Sequence, residues 1–410
     1  MKKDYFDEID IRLNKYSKVH KGAHRTAALK MILWNLCFLF QPLPKKENTR
    51  SQETVPSEAA TSKDKLAIAM VTSGGIGDHL LFANYLHCFL QKFDNGKIYV
   101  DVFFKDKFGI ASHIFREGEL CNKYYQFNGN SELKENYDLV MNLAGFPSIE
   151  HKNLKTISNY CKELIPYIEK CEEYKKYCRS TFRGNAYGMS RLCELEGRKL
   201  IQRADVYGML GMSQEFQYPL FIEEDEEGYL QTLGLQSKKF LTIQTGCDAI
   251  YDKHVKLWPI ENYTALVSMI EKAYPNLKIV QIGNSGKKCK EVEPNCAVID
   301  MVNQTNLEQA KVLLKHSLLH IDIEGGMVHL RYALGGGKSV VLFGPTSIEF
   351  FGYDTNCNIR SNVCGTSCYQ MTEAWPAGCP KDENHVPCME AITAEIVFEK
   401  VAENLKEYYE

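Results

Sequence analysis

Four groups of residues in this chain have the types and spacing to do chemistry. In "VTSGGIGDHLL", Gly74, Gly75 and Gly77 follow an apolar run, and Asp78 opens the next periodic segment. Glycines there let the backbone turn tightly and approach a ligand, and an acid at a helix start either handles a proton or caps the helix. The turn lacks the third glycine of a dinucleotide fingerprint. In "HVKLWPIENY", Lys256 precedes Trp258 and Pro259; proline suits a first helical turn, and a lysine just before it points at a bound phosphate or merely at solvent. In "HIDIEGGMVHLRYALGGG", a strand ends at Asp322 and Glu324. Gly325 and Gly326 then turn the chain, and His329 follows. Backbone N–H groups released by such a turn make an anion site fit for a diphosphate, whereas His329, among Val328, Leu330 and Ala333, also suits a core. In "LFGPT", Gly344, Pro345 and Thr346 form a tight loop able to touch the same ligand.

A fifth group is separate from these strand ends. Cys364, Cys368, Cys379 and Cys388 stand at C-x3-C-x10-C-x8-C spacing among Gly, Pro and charged residues with little to bury. Such spacing predicts a tetrahedral thiolate metal site, with zinc the general expectation and iron also compatible with four sulfurs; the alternative is a loop of free or redox-active thiols, with His385 a substitute ligand. Four thiolates leave no open coordination position, so the expected role is structural.

These residues need elements to hold them. "KLAIAMVT", "KIYVDVFF" and "YDLVMNLAG" read as buried strands, with "HLLFANYLHCFLQKF" a helix between the first two, and alternation of this kind implies a parallel sheet wrapped by helices. The pattern restarts after the acidic stretch at 218–237, with strands at "KFLTIQTG", "LKIVQIGN", "LLHIDIEGG" and "SVVLFG" and helices at "IENYTALVSMIEKAY" and "NLEQAKVLLKHS". A last helix, "ITAEIVFEKVAENLKEYY", has Thr393 placed as its N-cap. The expected organisation is an N-terminal extension and flexible linker at 1–65, a first α/β domain at 66–215, and a second at 216–410 that includes the metal loop 364–388. Ligands bind outside the carboxyl ends of strands in such sheets, so two facing domains offer a cleft with two binding rims.

Composition narrows the function classes. The 410 residues carry a net charge of only -3, with 44% apolar and 25% charged residues, which gives no overall bias toward nucleic acid or membrane. Residues 151–203 hold twelve Lys or Arg against six Asp or Glu, either a solvated helical face or a rim for an anionic substrate. "MKKDYFDEID" lacks the apolar core of a signal peptide, so the 15 cysteines point to a reducing compartment and mostly free thiols. "MILWNLCFLF", residues 31–40, is about half of what spans a bilayer. Packing on the protein is the favoured reading. With Lys21, His24, Arg25 and Lys30 before it, an interfacial helix on an anionic membrane is the other.

The order and spacing of the four strand-end features together resemble glycosyltransferase family 9, the ADP-heptose:heptosyltransferases, over roughly residues 66–405. The resemblance implies the GT-B architecture, with inverting transfer and no catalytic metal: the two facing α/β domains become a Rossmann-like acceptor domain at 66–215 and a Rossmann-like nucleotide-sugar domain at 216–410. It makes Asp78 the general base on the acceptor side, with the turn at Gly74, Gly75 and Gly77 beside it. Lys256, Glu324, Gly325, Gly326, His329, Gly344 and Thr346 become donor-binding. The family has Asp where this chain has Glu324, and Asp322 can share that role. The cysteine-rich tail, with "EGG" and "LFGPT", is similar to the autotransporter heptosyltransferases, in which such a loop holds iron.

The expected activity is transfer of heptose from ADP-heptose to a hydroxyl of the lipopolysaccharide core or of a protein Ser or Thr, as in lipopolysaccharide biosynthesis or protein glycosylation. The expected setting is the cytoplasm or the inner face of the membrane, with at most peripheral membrane contact, no nucleic acid, and an oligomer compatible. Two other readings stand beside it. One is a nucleotide-dependent oxidoreductase, which needs an acid after the second strand, and Asp101 and Asp106 lie near that position. The other is a non-catalytic, metal-stabilised binding module.

Overall fold

The computed structural model describes residues 64–106, 108–127, 133–181, 186–246, 255–283, 298–364, 367, 368, 379 and 385–409. The apolar tract 31–40 and the linker as far as residue 63 lie outside the described residues. Among those described, no helix is long and apolar enough to cross a membrane.

The first sheet contains β1 (Leu66–Thr72), β2 (Ile98–Phe104), β3 (Lys123–Gln126), β4 (Leu139–Asn142) and β5 (Ser148–Lys152) in the order β3-β2-β1-β4-β5. All pairs are parallel except β4 with β5. Every residue of the central strand β1 is buried, as a strand covered on both faces requires, and its unbroken apolar run is the sequence cause. Helix α1 (Ile76–Phe93) follows β1 at once and buries most of its length, including Leu80, Phe82, Tyr85, Leu86 and Phe89. The region 151–203 supplies α2 (Leu164–Thr181) and α3 (Ala186–Leu195). Its described basic residues are largely matched: Lys152 with Glu172, Lys170 with Glu173, Arg191 with Glu194, Arg198 with Glu196 and Lys199 with Asp354. Two of these pairs are largely buried rather than solvated, with the Arg191 side chain at 8% and that of Arg198 at 11% exposed.

The second sheet is wholly parallel, with β6 (Phe240–Ile243), β7 (Lys278–Gln281), β8 (Val298–Asp300), β9 (Leu319–Ile323), β10 (Ser339–Phe343) and β11 (Cys357–Arg360) ordered β11-β10-β9-β6-β7-β8. Around it lie α4 (Ile260–Ala273), α5 (Leu307–His316), α6 (Gly326–Ala333) and α7 (Ala394–Tyr409). Asn306 caps α5 by accepting from Gln309 N–H at 2.8 Å, and Thr393 Oγ1 accepts from Ile396 N–H at 3.5 Å at the start of α7.

The two sheets meet through buried groups. Lys311 of α5 is fully buried and donates to the carbonyls of His113 (2.6 Å) and Phe221 (3.1 Å) and to Glu308 Oε1 (2.6 Å). The Glu308 carboxylate also contacts His113 Nδ1 at 2.8 Å and accepts from Glu223 N–H at 2.9 Å. A cation buried this way is tolerable because three acceptors, one of them a carboxylate, meet its ammonium group.

Candidate functional site

The start of α1 and the start of α6 touch. A Cβ placed on Gly77 would lie 2.5 Å from His329 Cδ2, and one on Gly326 would lie 3.5 Å from Ile76 Cβ. Each glycine-rich strand end thereby abuts the other, and Asp78 comes to the same junction as His329. Sequence spacing brought each turn to its strand end, but nothing in it said that the two turns would be in contact.

Asp78 does cap its helix: its Oδ2 accepts from Gly75 N–H at 3.1 Å. Its Oδ1 accepts from Arg203 Nη2 at 3.0 Å, and the side chain remains 39% exposed. Gly74 has φ of +123°, and a Cβ there would strike the Asp78 carboxylate at 2.4 Å, so this position requires glycine for both backbone and space. Asp106 binds the turn from β2, accepting Gly74 N–H at 2.9 Å, and lies 3.6 Å from His79 Nε2. His79 is buried, holds Thr72 Oγ1 at 3.2 Å, and has its pKa lowered by burial. Asp106 is thus engaged with the turn itself, and Asp101 is buried against Tyr137 and Lys123 N–H.

On the other side, Lys256 Nζ donates to Glu324 Oε2 at 2.5 Å. Glu324 therefore takes the position that faces the lysine, whereas Asp322 does not share it. Asp322 is wholly inside the sheet, 3.3 Å from His320 Nε2, and burial drives its carboxyl well above the usual carboxylate range. His320 is held to a pKa of about 3 by burial and by Arg331. His329 is also buried, with Nδ1 2.6 Å from the Tyr353 hydroxyl, and burial lowers its pKa, so it is a neutral imidazole at neutral pH. Tyr353 stacks on Tyr332 at 3.6 Å.

The remaining donor-side candidates are placed differently from one another. Thr346 is fully buried, and its Oγ1 has no hydrogen-bond partner among the described residues. Gly344 instead turns toward the C-terminal segment: a Cβ there would lie 2.4 Å from Met389 Sδ and 3.4 Å from Cys388 Sγ. Its lack of a side chain serves packing. The same segment supports the Lys256 strand end, because buried Trp258 donates from Nε1 to the Ile392 carbonyl at 2.6 Å.

The four cysteines are near one another. The Cys388 and Cys364 thiols hydrogen-bond, and Cys368 and Cys379 add to the crowding of like groups that, with burial, pushes the Cys388 thiol far up. Cys368 is raised to about 12 by burial first and by its cysteine neighbours second. The donor set suits a soft metal ion, but among the described residues no three His, Cys, Asp or Glu side chains are arranged to hold one. Cys368 N–H donates to the Pro345 carbonyl at 2.9 Å, tying this cluster to the loop that carries Thr346.

Residues 198–375 match Glycosyltransferase family 9 (heptosyltransferase). That span, somewhat under half of the chain, is similar to the family 9 glycosyltransferases. That span includes Arg203, Lys256, Glu324, Gly325, Gly326, His329, Gly344, Thr346, Cys364 and Cys368, and it places the chain among the glycosyltransferases. No curated protein sequence matches. In fold the chain is similar to ADP-heptose lps heptosyltransferase II of E. coli, with a TM-score of 0.52 at 15% identity over 84% of this chain and 100% of that one. It is also similar to a family 9 glycosyl transferase from Veillonella parvula (TM-score 0.51, 14% identity, 85% and 99% covered). A third is the iron-containing dodecameric glycosyltransferase TibC from enterotoxigenic E. coli (TM-score 0.55, 10% identity, 84% and 79% covered). The parallel α/β sheets are those of the GT-B glycosyltransferases. Arg203 and Tyr353 were not singled out by sequence, and Asp106 was named only as an acid for the oxidoreductase reading; Arg203 was only one member of a basic stretch, and neither its burial nor its carboxylate partner had a local signal.

Proposed function

We propose that the chain transfers a heptose from ADP-heptose to an acceptor hydroxyl with inversion. The observation that carries this reading is the meeting of a partly exposed carboxylate, Asp78, with the Lys256, Glu324 and His329 group across the Gly77 contact. Asp78 accepts the proton of the acceptor hydroxyl while that oxygen bonds to the anomeric carbon. The bond from that carbon to the diphosphate breaks with its electron pair, so the product has inverted configuration and ADP leaves. Lys256 and the backbone N–H groups at the start of α6 receive the charge that collects on the diphosphate. Lys256 is already bound to Glu324, so Glu324 orients the lysine and is the group the diphosphate must share it with.

Cys364, Cys368, Cys379 and Cys388 would hold a structural iron or zinc ion, a reading supported by the soft donor set and by the contacts among the thiols. Bound there, the ion supplies a cross-link and no reaction chemistry. The acceptor is a glycolipid core sugar or a protein hydroxyl, and the likeness to a dodecameric enzyme makes assembly into an oligomer part of this proposal.

The test is nucleoside diphosphate release from ADP-heptose, UDP-sugars and GDP-sugars, with core-oligosaccharide and polypeptide acceptors, for wild type and Asp78→Asn. ADP release confined to ADP-heptose, lost in Asp78→Asn while ADP still binds, supports the proposal. Release from another donor discards the sugar, and undiminished release in Asp78→Asn discards the base.

A further inference from the structure

The base assigned above is held by a residue that the assignment leaves without a role. Arg203 follows a single helical turn at Leu200–Gln202, and this turn is fastened from behind. Gln202 Nε2 donates to Met212 O at 3.0 Å, and the buried Asp205 carboxylate accepts Leu210 N–H at 2.6 Å and Met212 N–H at 3.0 Å. From that fixed base the Arg203 side chain borders a narrow cleft lined by Leu81, Phe82, Tyr85, Leu143, Leu200 and Ile201, and its Nη2 reaches Asp78 Oδ1. The walls are largely apolar and the Tyr85 hydroxyl is engaged with that of Tyr167 at 3.0 Å, so the guanidinium charge is directed at the Asp78 carboxylate.

The two Asp78 oxygens are thereby held from different sides, Oδ1 by Arg203 at 3.0 Å and Oδ2 by Gly75 N–H at 3.1 Å. A carboxylate with one contact can still rotate about its last bond; with two on opposite oxygens it cannot. Each oxygen keeps lone-pair capacity for one more hydrogen bond, so the carboxylate remains able to accept a proton. We propose that Arg203 is the positioning residue of the Asp78 carboxylate, fixing the orientation from which it meets the acceptor hydroxyl. This rests on the assignment of Asp78 as base, and arginine is needed because its rigid fork sets direction as well as charge.

The experiment measures ADP release from ADP-heptose by the full chain for wild type, Asp78→Asn, Arg203→Gln, Arg203→Lys and the double variant Asp78→Asn/Arg203→Gln, with ADP affinity by calorimetry as the check on folding. Arg203→Gln is expected to lower kcat about 10- to 100-fold, the scale of a misplaced catalytic group, with little change in KM. Arg203→Lys recovers part of the loss, and if Arg203→Gln does not fold, the kcat deficit of Arg203→Lys is the reading. In the Asp78→Asn background the Arg203 substitution has no further effect, because a residue acting only through Asp78 has nothing left to position. An undiminished Arg203 effect in that background, or an effect confined to KM, overturns the proposal by assigning Arg203 to substrate or to the fold. Full activity of Arg203→Gln beside an inactive Asp78→Asn overturns the positioning role and leaves the base intact. Full activity of Asp78→Asn, or no ADP release by wild type, overturns the base reading and this proposal with it.

Discussion

Gly77→Ala tests the contact on which the site depends. The added methyl would lie 2.5 Å from His329 Cδ2, about 0.9 Å inside ordinary van der Waals contact. The imidazole has little room to withdraw, because its Nδ1 is 2.6 Å from the Tyr353 hydroxyl and Tyr353 is stacked on Tyr332. Overpacking of this kind costs about 1–3 kcal/mol. Alanine in place of glycine in the first turn of α1 returns at most about 1 kcal/mol of helix propensity, so the clash wins. Because the strain lies between α1 and α6, it is relieved by moving the two sheets apart, and about 1–3 kcal/mol shifts that equilibrium about 5- to 150-fold. Hydrogen exchange should show faster amide exchange at the starts of α1 and α6 with the interior of both sheets still protected, together with a matching loss in kcat/KM for donor. Gly75→Ala is the control, since a Cβ there meets nothing within 4 Å. The reasoning is refuted if Gly77→Ala exchanges and turns over like wild type, or if adding His329→Ala fails to restore the protection.

Lys256→Ala should weaken ADP binding about 10-fold or more, while Glu324→Gln should alter it less, because only the lysine faces the phosphate charge; calorimetry separates the two, and equal effects contradict the assignment. Buried His320 makes stability acid-sensitive: its folded pKa of about 3 lies below the unfolded value of about 6.5, so the unfolded state takes up the extra proton and stability falls with pH across that window. Denaturation at pH 7 and pH 5 should show a smaller difference for His320→Asn than for wild type, and an unchanged difference rules this cause out. Purified protein should carry one iron or zinc ion per chain by elemental analysis, and Cys368→Ser should both lose it and weaken ADP binding through the Pro345 contact. Metal content unaffected by Cys368→Ser contradicts the four-cysteine site.

Much of this arrangement was legible because it depends on local rules. The unbroken apolar run of β1 announced a strand covered on both faces, the glycine clusters marked the turns at strand ends, and Thr393 marked the start of α7. The short edge strands β3, β5, β8 and β11 were missed, since segments such as "KYYQ" and "SIEHK" are only partly buried and carry no long apolar run. Partnership across the chain was the other gap. Arg203 and Asp78 are 125 positions apart, and Lys256 and Glu324 are 68 apart, so their pairing follows from the topology and not from any local pattern. Glu324 and Asp322 look interchangeable in sequence, and a period of two would put them on one face; position separates them, since Asp322 lies within β9 beside His320 whereas Glu324 follows the strand's last residue and meets Lys256.

The abutting starts of α1 and α6 also set a charge balance. The aligned peptide units of a helix leave about half a positive charge at its first turn, so two such ends in contact bring about one unit of like charge together. Arg203 and Asp78 cancel on the α1 side of the seam and Lys256 and Glu324 on the α6 side, while Asp106, accepting Gly74 N–H at 2.9 Å, offsets only the α1 part of that remainder. An anion lodged between the helices neutralises the repulsion and draws the halves together; its departure restores the repulsion and favours their parting. On the proposed reaction, the electrostatics of the junction would couple the release of a negatively charged product to the opening of the site that made it.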